Sequence, residues 1–480
     1  MLQKGTKDSI NRFEIFRKLY FFHIENNEEA TMNKRKNIII IWLAICICIF
    51  TTMACGSSTT EKLQEAQSDN KITQSEEEQV TESESTPTKQ IVVNPLVLSK
   101  YGFGQDGNSA GYAFILENPN AGLSINNSQY QVAAYDDSNT VIDTDSGYID
   151  IILPNQSLGI SGELYVDDGK VISKIEIQIK DGRSEATDAI QFFTVQNVTF
   201  LDDEYFAHVT GTITSPFNKD ITSLKTSAIL YDGAGNIIGG GHTYVNFLLA
   251  NTSTGVEVSV TSNGDVANVE LYPSLSGLSF LSSTDNIPDS AVTPSIVNIG
   301  FGQGTYDSGF GIIFQNANSK YSIENSEYRV IAYSADNIVL DVDEGYIDVL
   351  LPNQELGIGG NLYPPKDMYI DHVEGQILHG KFVETEELPE FTSENVILLE
   401  DTYFPKVSGI INNPYSKDVS DLRVNAIVYN DAGEIIGGGY TYLDFILANG
   451  SAAVEVSITI SGTPANSKIY ATLSGLSILD

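Results

Sequence analysis

Apolar side chains occupy every second position in several stretches of the chain. Tyr328, Val330 and Ala332 do so in one stretch, and Ala426 and Val428 do so in another. Successive side chains of a β-strand point to opposite faces, so this period places one row of side chains in a core. No stretch between residues 91 and 480 shows sustained helical spacing, and the pattern therefore predicts an all-β chain.

The alternating stretches recur at a spacing of 198 residues. The segment AILYDGAGNIIGGGHTYVNFLLAN, at 228–251, returns at 426–449 as AIVYNDAGEIIGGGYTYLDFILAN, and residues 130–156 return at 328–354. Both kinds of segment carry a Tyr, a second Tyr 13 residues later and an Asn 20 residues later. These residues are Tyr135, Tyr231, Tyr333 and Tyr429; Tyr148, Tyr244, Tyr346 and Tyr442; and Asn155, Asn251, Asn353 and Asn449. The chain is therefore an array of four related units in the order ABAB.

Each unit has the size of a β-sandwich domain. Turn signals separate the expected strands, among them Asn118-Pro119 and the hairpin sequence DGAGN at 232–236. Short strands about ten residues apart predict an immunoglobulin-like sandwich in every unit. We expect module A1 at 91–185, module B1 at 190–282, a linker at 283–294 between two AB halves, module A2 at 295–385 and module B2 at 390–480.

The B units carry a recognisable motif. The segment VTGTITSPFNKDITSLKTSAILYDGAGNIIGGG, at 209–241, resembles the FxLYD family of bacterial extracytoplasmic domains. Leu230, Tyr231 and Asp232 match the motif, whereas Ala228 stands where the family has Phe. The resemblance extends over 190–282 and 391–480 and is weaker in the A units. It implies small β-sandwich modules on exported proteins and brings no catalytic residues.

The N-terminal region has the features of a targeting signal. Residues 32–54 combine basic Lys34, Arg35 and Lys36 with an uninterrupted apolar run from Ile38 to Phe50, as secretory signals do. The sequence Thr-Met-Ala-Cys that ends at Cys55 resembles the lipobox of bacterial lipoproteins. That resemblance implies lipidation of Cys55 and attachment to the outer face of the bacterial cell membrane. An uncleaved membrane anchor is the alternative.

Two further N-terminal segments flank the signal. Residues 1–31 precede the signal, so we interpret them either as upstream of the true start at Met32 or as a short extension. Residues 55–90 are polar, acidic and almost free of large apolar side chains. Such a composition buries too little surface to offset the entropy of ordering, which predicts a disordered acidic tether.

Charge and cysteine content exclude several classes of protein. The chain carries 26 Lys and Arg against 63 Asp and Glu, a net charge of −37. Such a surface repels nucleic acid and favours a monomer by self-repulsion. No cysteine follows Cys55, which excludes a disulfide framework or a thiolate zinc site in the modules. The absence of a Gly-x-Ser-x-Gly motif adds to the expectation that the protein is not an enzyme.

One acidic motif is a candidate cation site. Asp143, Asp145 and Asp150 recur 198 residues later as Asp341, Asp343 and Asp348. Clustered carboxylates bind calcium through hard oxygen ligands, so calcium is the one cofactor that the sequence suggests. The pattern lacks the glutamate at position 12 of an EF-hand, and the alternative is a solvated acidic strand edge that discourages aggregation.

The sequence favours a non-enzymatic role at the cell envelope. Display, adhesion or binding through the sandwich modules is the first hypothesis, with an envelope protein or glycan as partner and the membrane as anchor. A ligand-capturing lipoprotein of a transport system is the alternative, and a carbohydrate-active enzyme is a third. Tyrosines on an exposed sheet face would favour carbohydrate binding, whereas tyrosines packed inside would remove that support.

Overall fold

The computed structural model describes residues 93–479 except 188–189, 203–206, 283–286, 306, 386–388, 401–404 and 476. These residues belong to one compact unit, Lys89–Asp480. The expectations for residues 1–31, for the signal at 32–54, for Cys55 and for the tether at 55–90 lie outside the described residues. Every regular element in the described part is a β-strand, and all the pairings are antiparallel, which confirms the predicted all-β fold.

Thirty strands are found in the described residues. Module A1 contains β1 Val97–Asp106, β2 Ser109–Glu117, β3 Leu123–Tyr135, β4 Val141–Ile152, β5 Ser157–Tyr165, β6 Lys174–Lys180 and β7 Arg183–Ala186. Module B1 contains β8 Thr194–Asp202, β9 Ala207–Thr214, β10 Asp220–Tyr231, β11 Ile237–Leu248, β12 Ser253–Ser259, β13 Thr261–Ser262, β14 Asn268–Ser274 and β15 Phe280–Ser282.

The second half repeats this order. Module A2 contains β16 Ser295–Gln303, β17 Ser308–Gln315, β18 Tyr321–Tyr333, β19 Val339–Leu350, β20 Glu355–Leu362, β21 His372–Leu378 and β22 Lys381–Glu384. Module B2 contains β23 Thr392–Leu399, β24 Lys406–Asn412, β25 Val419–Tyr429, β26 Ile435–Ile446, β27 Ser451–Ser457, β28 Thr459–Ile460, β29 Asn466–Thr472 and β30 Ile478–Leu479.

Each module is built from two sheets. In A1 the strand orders are β1-β2-β5 and β4-β3-β6, and β7 also pairs with β3. In B1 they are β12-β9-β8 and β13-β11-β10-β14, and β15 also pairs with β10. A2 and B2 repeat these orders with their own strands. A separate hydrophobic core lies between the two sheets of every module, which is the arrangement of a β-sandwich.

The modules also pack against one another through their sheet faces. Ala113 and Ile115 of β2 contact Ile229, Tyr231 and Ile237 of B1 in a further apolar cluster. Strand β2 is consequently buried on both faces along most of its length. An equivalent cluster joins A2 to B2. Sheet β1-β2-β5 therefore lies against sheet β13-β11-β10-β14, and the same pair of sheets meets in the second half.

Glycine makes this close packing feasible. A Cβ atom at Gly111 would overlap with the carbonyl oxygen of Gly240 in the facing sheet, and a Cβ at Gly309 would overlap with that of Gly438. The GGG sequences at 239–241 and 437–439 thus lie where two backbones approach without side chains between them. A side chain at these positions would push the two sheets apart.

The two AB halves are in contact as well. Sheet β12-β9-β8 of B1 faces sheet β19-β18-β21 of A2, and Gly255 lies against Ile331 and Val339. Ile331 and Val339 are fully buried in a small cluster. The eight sheets of the four modules therefore form one continuous stack, and the linker at 283–294 connects halves that touch.

Candidate functional site

The junction between B1 and A2 encloses a charged network. Arg329, on β18, is only 1% exposed, which is rare for a cation and requires partners. Its Nη1 atom donates to the carbonyl oxygen of Phe247 at 2.9 Å and to Thr254 Oγ1 at 2.6 Å. Its Nε atom donates to Glu344 Oε1 at 2.6 Å, and Nη2 contacts the same oxygen. The guanidinium therefore binds two modules together.

A carboxyl pair lies beside this network. Glu257, on β12, accepts from His208 Nδ1 at 2.8 Å and faces Asp341 of A2. Burial and the nearby Glu257 charge raise the pKa of Asp341 to about 7. A cavity of about 350 Å³ adjoins both groups and is lined by residues that include His242, Tyr244, Glu257, Arg329, Asp341 and Glu344. The cavity is polar, and it can hold a proton between its two carboxylates.

The acidic motif of the sequence is split by the fold. Asp145 pairs with Val132 and Asp143 with Ala134, both core residues, so these two carboxylates point between the sheets of A1. Asp145 accepts a hydrogen bond from the hydroxyl of Tyr112, and Asp143 accepts one from the Tyr165 backbone at 2.7 Å. Asp150 lies at an alternate position of the strand, on the other face.

Module A2 repeats part of this arrangement, with Phe310 at the position of Tyr112. Asp341 accepts from the Tyr363 backbone at 2.6 Å. Burial raises the pKa of Asp343 to about 7 and that of Asp348 to a smaller extent, while Arg423 acts in the opposite direction on both. The three side chains are half-buried, and β19 is an edge strand of its sheet, so these aspartates lie on a strand edge that is only partly open to solvent.

A cation from the following module faces each acidic motif. Lys225 of B1 interacts with Asp145 and Asp150, although burial lowers the pKa of its ammonium group. Arg423, its equivalent 198 residues later, interacts with Asp343 and Asp348, donates to the Gly359 carbonyl at 3.0 Å and lies 4.5 Å from the ring centroid of Tyr440. Asp145, Asp150, Asp343 and Asp348 thus belong to contacts between each A module and the B module that follows it.

Among residues 93–479, apart from the short gaps given above, no group of three or more His, Cys, Asp or Glu side chains is arranged to hold a metal ion. The calcium site at Asp143, Asp145, Asp150, Asp341, Asp343 and Asp348 stays a prediction. The sequence analysis missed Lys225, Arg329 and Arg423. A signal was present for two of them, because Lys225 and Arg423 repeat at the 198-residue spacing in a chain that has few basic residues.

The second tyrosine of each repeat lies at the surface. Tyr148 is 67% exposed, Tyr346 56%, and Tyr244 and Tyr442 39% each. Each ring projects from the second strand of a β-hairpin, opposite Gln129, Glu327, Lys225 or Arg423 on the neighbouring strand. The first tyrosines of the B units and of A2, at 231, 333 and 429, are instead buried. The repeat therefore keeps one aromatic ring for the core and one for the surface.

Polar side chains surround the exposed rings and could bind a ligand together with them. Around Tyr148 a shallow cavity of about 440 Å³ is lined by residues that include Gln129, Gln131, Ser146, Gln178 and Lys180. In the B modules the tyrosine pairs edge to face with a second ring, His242 with Tyr244 and Tyr440 with Tyr442, at centroid distances of 6.0 Å. Amide and hydroxyl groups beside an aromatic face are the groups that bind sugars or peptide surfaces.

No helix in the part of the chain that the structure describes is long and apolar enough to cross a membrane.

Comparison with known proteins identifies no family for this chain. No family model matches the sequence, and no curated protein matches it. Among solved structures the chain is similar to the native conformation of E. coli alpha-2-macroglobulin, at 9% identity over 74% of this chain and with a TM-score of 0.12. The chain spans 27% of the length of that protein.

Proposed function

We propose that this chain is a non-enzymatic, lipid-anchored protein of the bacterial cell envelope that binds a glycan through its repeated exposed tyrosines. The observation that carries the proposal is the exposure of Tyr148, Tyr244, Tyr346 and Tyr442, one in each module. An exposed aromatic ring contributes less to folding than a buried one. A stacking surface for sugar rings would explain why one is present in every module.

The rest of the architecture supports a display role. Stacking of the sheets fixes the spacing of the four modules, so the tyrosines are presented at set intervals along one rigid body. Preorganised sites bind with a smaller entropy cost, and several weak sites on one body bind a repeating ligand with a higher avidity than any one site alone. The proposed location at the cell envelope rests on three features of the sequence. These are the predicted lipid on Cys55, the acidic tether at 55–90 and the FxLYD-like character of the B modules.

Binding to isolated cell-wall glycan tests this function. The full chain and its variant with Tyr148, Tyr244, Tyr346 and Tyr442 all changed to Ala are co-sedimented with the insoluble glycan. We expect the variant to bind at least about tenfold more weakly, because truncation of aromatic anchors removes most of the energy of a small contact. Tyr369→Ala is the matched control, since Tyr369 is 75% exposed but has Val171 at the equivalent position of A1. Equal binding by the variant and the parent would refute the proposal.

A further inference from the structure

The stack of sheets ends in two uncovered faces that are relatives of the two faces buried at its centre. At the B1–A2 junction, sheet β12-β9-β8 covers sheet β19-β18-β21. Sheet β4-β3-β6 of A1 is the equivalent of the latter, and sheet β23-β24-β27 of B2 is the equivalent of the former. Nothing in the described part of the chain packs on either of these terminal faces as B1 packs on A2.

The exposed fractions of equivalent side chains show that the terminal faces are uncovered. Val339 is 0% exposed at the junction, whereas its equivalent Val141 in A1 is 50% exposed. Phe247 is 0% exposed, whereas its equivalent Phe445 in B2 is 63% exposed. The adjacent Leu447 is 58% exposed. Val141 thus lies exposed on the A1 face, and Phe445 and Leu447, at the end of β26 and just beyond it, lie exposed beside the B2 face.

We propose that the B2 face of one molecule docks on the A1 face of a second copy of this chain and thereby repeats the B1–A2 junction between molecules. Such an interface is heterologous, because each molecule uses a different face at each end. Repetition of the same contact would extend the stack of sheets into a linear head-to-tail assembly.

The changes between the junction and the terminal faces are complementary in size. At the junction Gly255 lies against Ile331, and a Cβ atom on Gly255 would be 2.5 Å from Ile331 Cγ2. In B2 the equivalent of Gly255 is Ala453, which carries that extra methyl group. In A1 the equivalent of Ile331 is Ala133, which is smaller by three carbon atoms. Ala133 therefore leaves room for the extra methyl group of Ala453, which an isoleucine at position 133 would not.

On the terminal faces, uncharged residues stand in place of the charged network around Arg329. Gln131 stands in A1 where A2 has Arg329, and Ser146 stands where A2 has Glu344. Ala452 stands in B2 where B1 has Thr254, the acceptor for Arg329. Docking of B2 on A1 would consequently bury neither an unpaired cation nor an unpaired carboxylate at this point.

Two polar contacts of the junction are preserved in the pair. Gln376 donates to the Ser253 carbonyl at 2.7 Å, and Asn197 donates to the Asn337 carbonyl at 3.2 Å. The terminal faces keep the same residue types at every one of these positions, as Gln178, Ser451, Asn395 and Asn139. These contacts would fix the register of the second copy.

Charge does not forbid the contact despite the acidity of the chain. The A1 face carries the ion pair Lys174–Glu176 at 2.8 Å, and the B2 face carries Lys406–Glu455 at 2.7 Å. The remaining repulsion between two acidic molecules acts at long range, and ions at physiological strength screen it beyond about 8 Å. The self-association should therefore strengthen as salt concentration rises.

Sedimentation velocity of the full chain in detergent, over a range of protein concentrations, tests the proposal. We expect faster-sedimenting species to grow with concentration. Ala133→Ile should weaken the association at least about tenfold, since it puts the bulk of Ile331 against Ala453. Combining Ala133→Ile with Ala453→Gly recreates the junction pair and should restore the association.

Thermal unfolding serves as the folding control: Ala133 and Ala453 lie on uncovered faces, so Ala133→Ile should leave the midpoint almost unchanged, and the glycine that Ala453→Gly places in β27 should lower it only slightly. A single sedimenting species at all concentrations would overturn the proposal. So would an Ala133→Ile variant that associates as well as the parent, or a double variant that is not restored. Glycan binding by a chain that does not self-associate would overturn this inference and leave the proposed function intact.

Discussion

Arg329 of module A2 donates a hydrogen bond to the backbone carbonyl of Phe247 in module B1, and its guanidinium carbon lies 4.8 Å from the centroid of the Phe247 ring. The guanidinium also pairs with Glu344 within its own module. One side chain thus supplies a charge-assisted bond, a cation–π contact and an ion pair at the point where the two halves of the chain meet.

Replacement of Arg329 by Ala is expected to destabilise the B1–A2 junction by about 2–4 kcal/mol, because Glu344, Thr254 and the Phe247 carbonyl would lose their partner. The measurement is the free energy of unfolding in a denaturant titration. Lys174→Ala is the control, since that cation is exposed in an ion pair on the surface and its loss should have a much smaller effect. Equal effects from the two variants would contradict the role given to Arg329.

Protonation of Asp341 makes the stability of the same junction depend on pH. Burial and Glu257 raise its pKa to about 7, whereas the unfolded chain titrates near about 4. Between these values the folded protein holds a proton that the unfolded chain has released. Stability therefore falls as pH rises from about 4 to about 7, and the loss is complete above that range.

The thermal midpoint should accordingly be lower at pH 8 than at pH 5.5. Asp341→Asn removes the ionisable group and should reduce this difference, although Asp343, whose pKa is also about 7 as a result of burial, retains part of it. The exposed hairpin residue Asp431 provides the control variant, Asp431→Asn. A pH dependence that Asp341→Asn leaves unchanged would exclude the carboxyl pair as its cause.

Gly111→Ala should separate A1 from B1. The new methyl group would overlap with the Gly240 and Thr261 carbonyl oxygens, and backbone atoms in a packed sheet cannot move aside cheaply. We expect a loss of about 1–3 kcal/mol in the free energy of unfolding. Gly233→Ala, in the open hairpin of B1, adds the same methyl group where nothing lies within 4 Å, and should leave stability almost unchanged.

The repeated asparagine serves a backbone conformation. Asn155, Asn251, Asn353 and Asn449 all have positive φ angles, between 49° and 59°. Left-handed backbone is costly for most residues, and Asn and Gly tolerate it best. Asn353→Ala should therefore destabilise the protein by about 1 kcal/mol in chemical unfolding, while Asn353→Gly should be close to neutral. A larger loss for Gly than for Ala would show that the side chain, and not φ, explains the repeat.

The sequence by itself determined the strands, the turns and the duplication. A period of two in apolar positions reflects the geometry of a single strand and can be recognised without knowledge of the tertiary contacts. The Asn at the end of each repeat likewise reflects the φ angle of one residue. The aromatic pattern predicted a core without disulfides, and the four cores are there.

Only the tertiary structure decided which faces meet. The alternation of a strand identifies an inner row but does not tell whether the outer row is wet or covered by another module. For that reason Gly240, Arg329 and the aspartates of the acidic motif could not be assigned from their neighbours in sequence. Their partners Gly111, Phe247, Lys225 and Arg423 lie between 75 and 129 residues away, and contacts at such separations are selected by the packing of whole sheets.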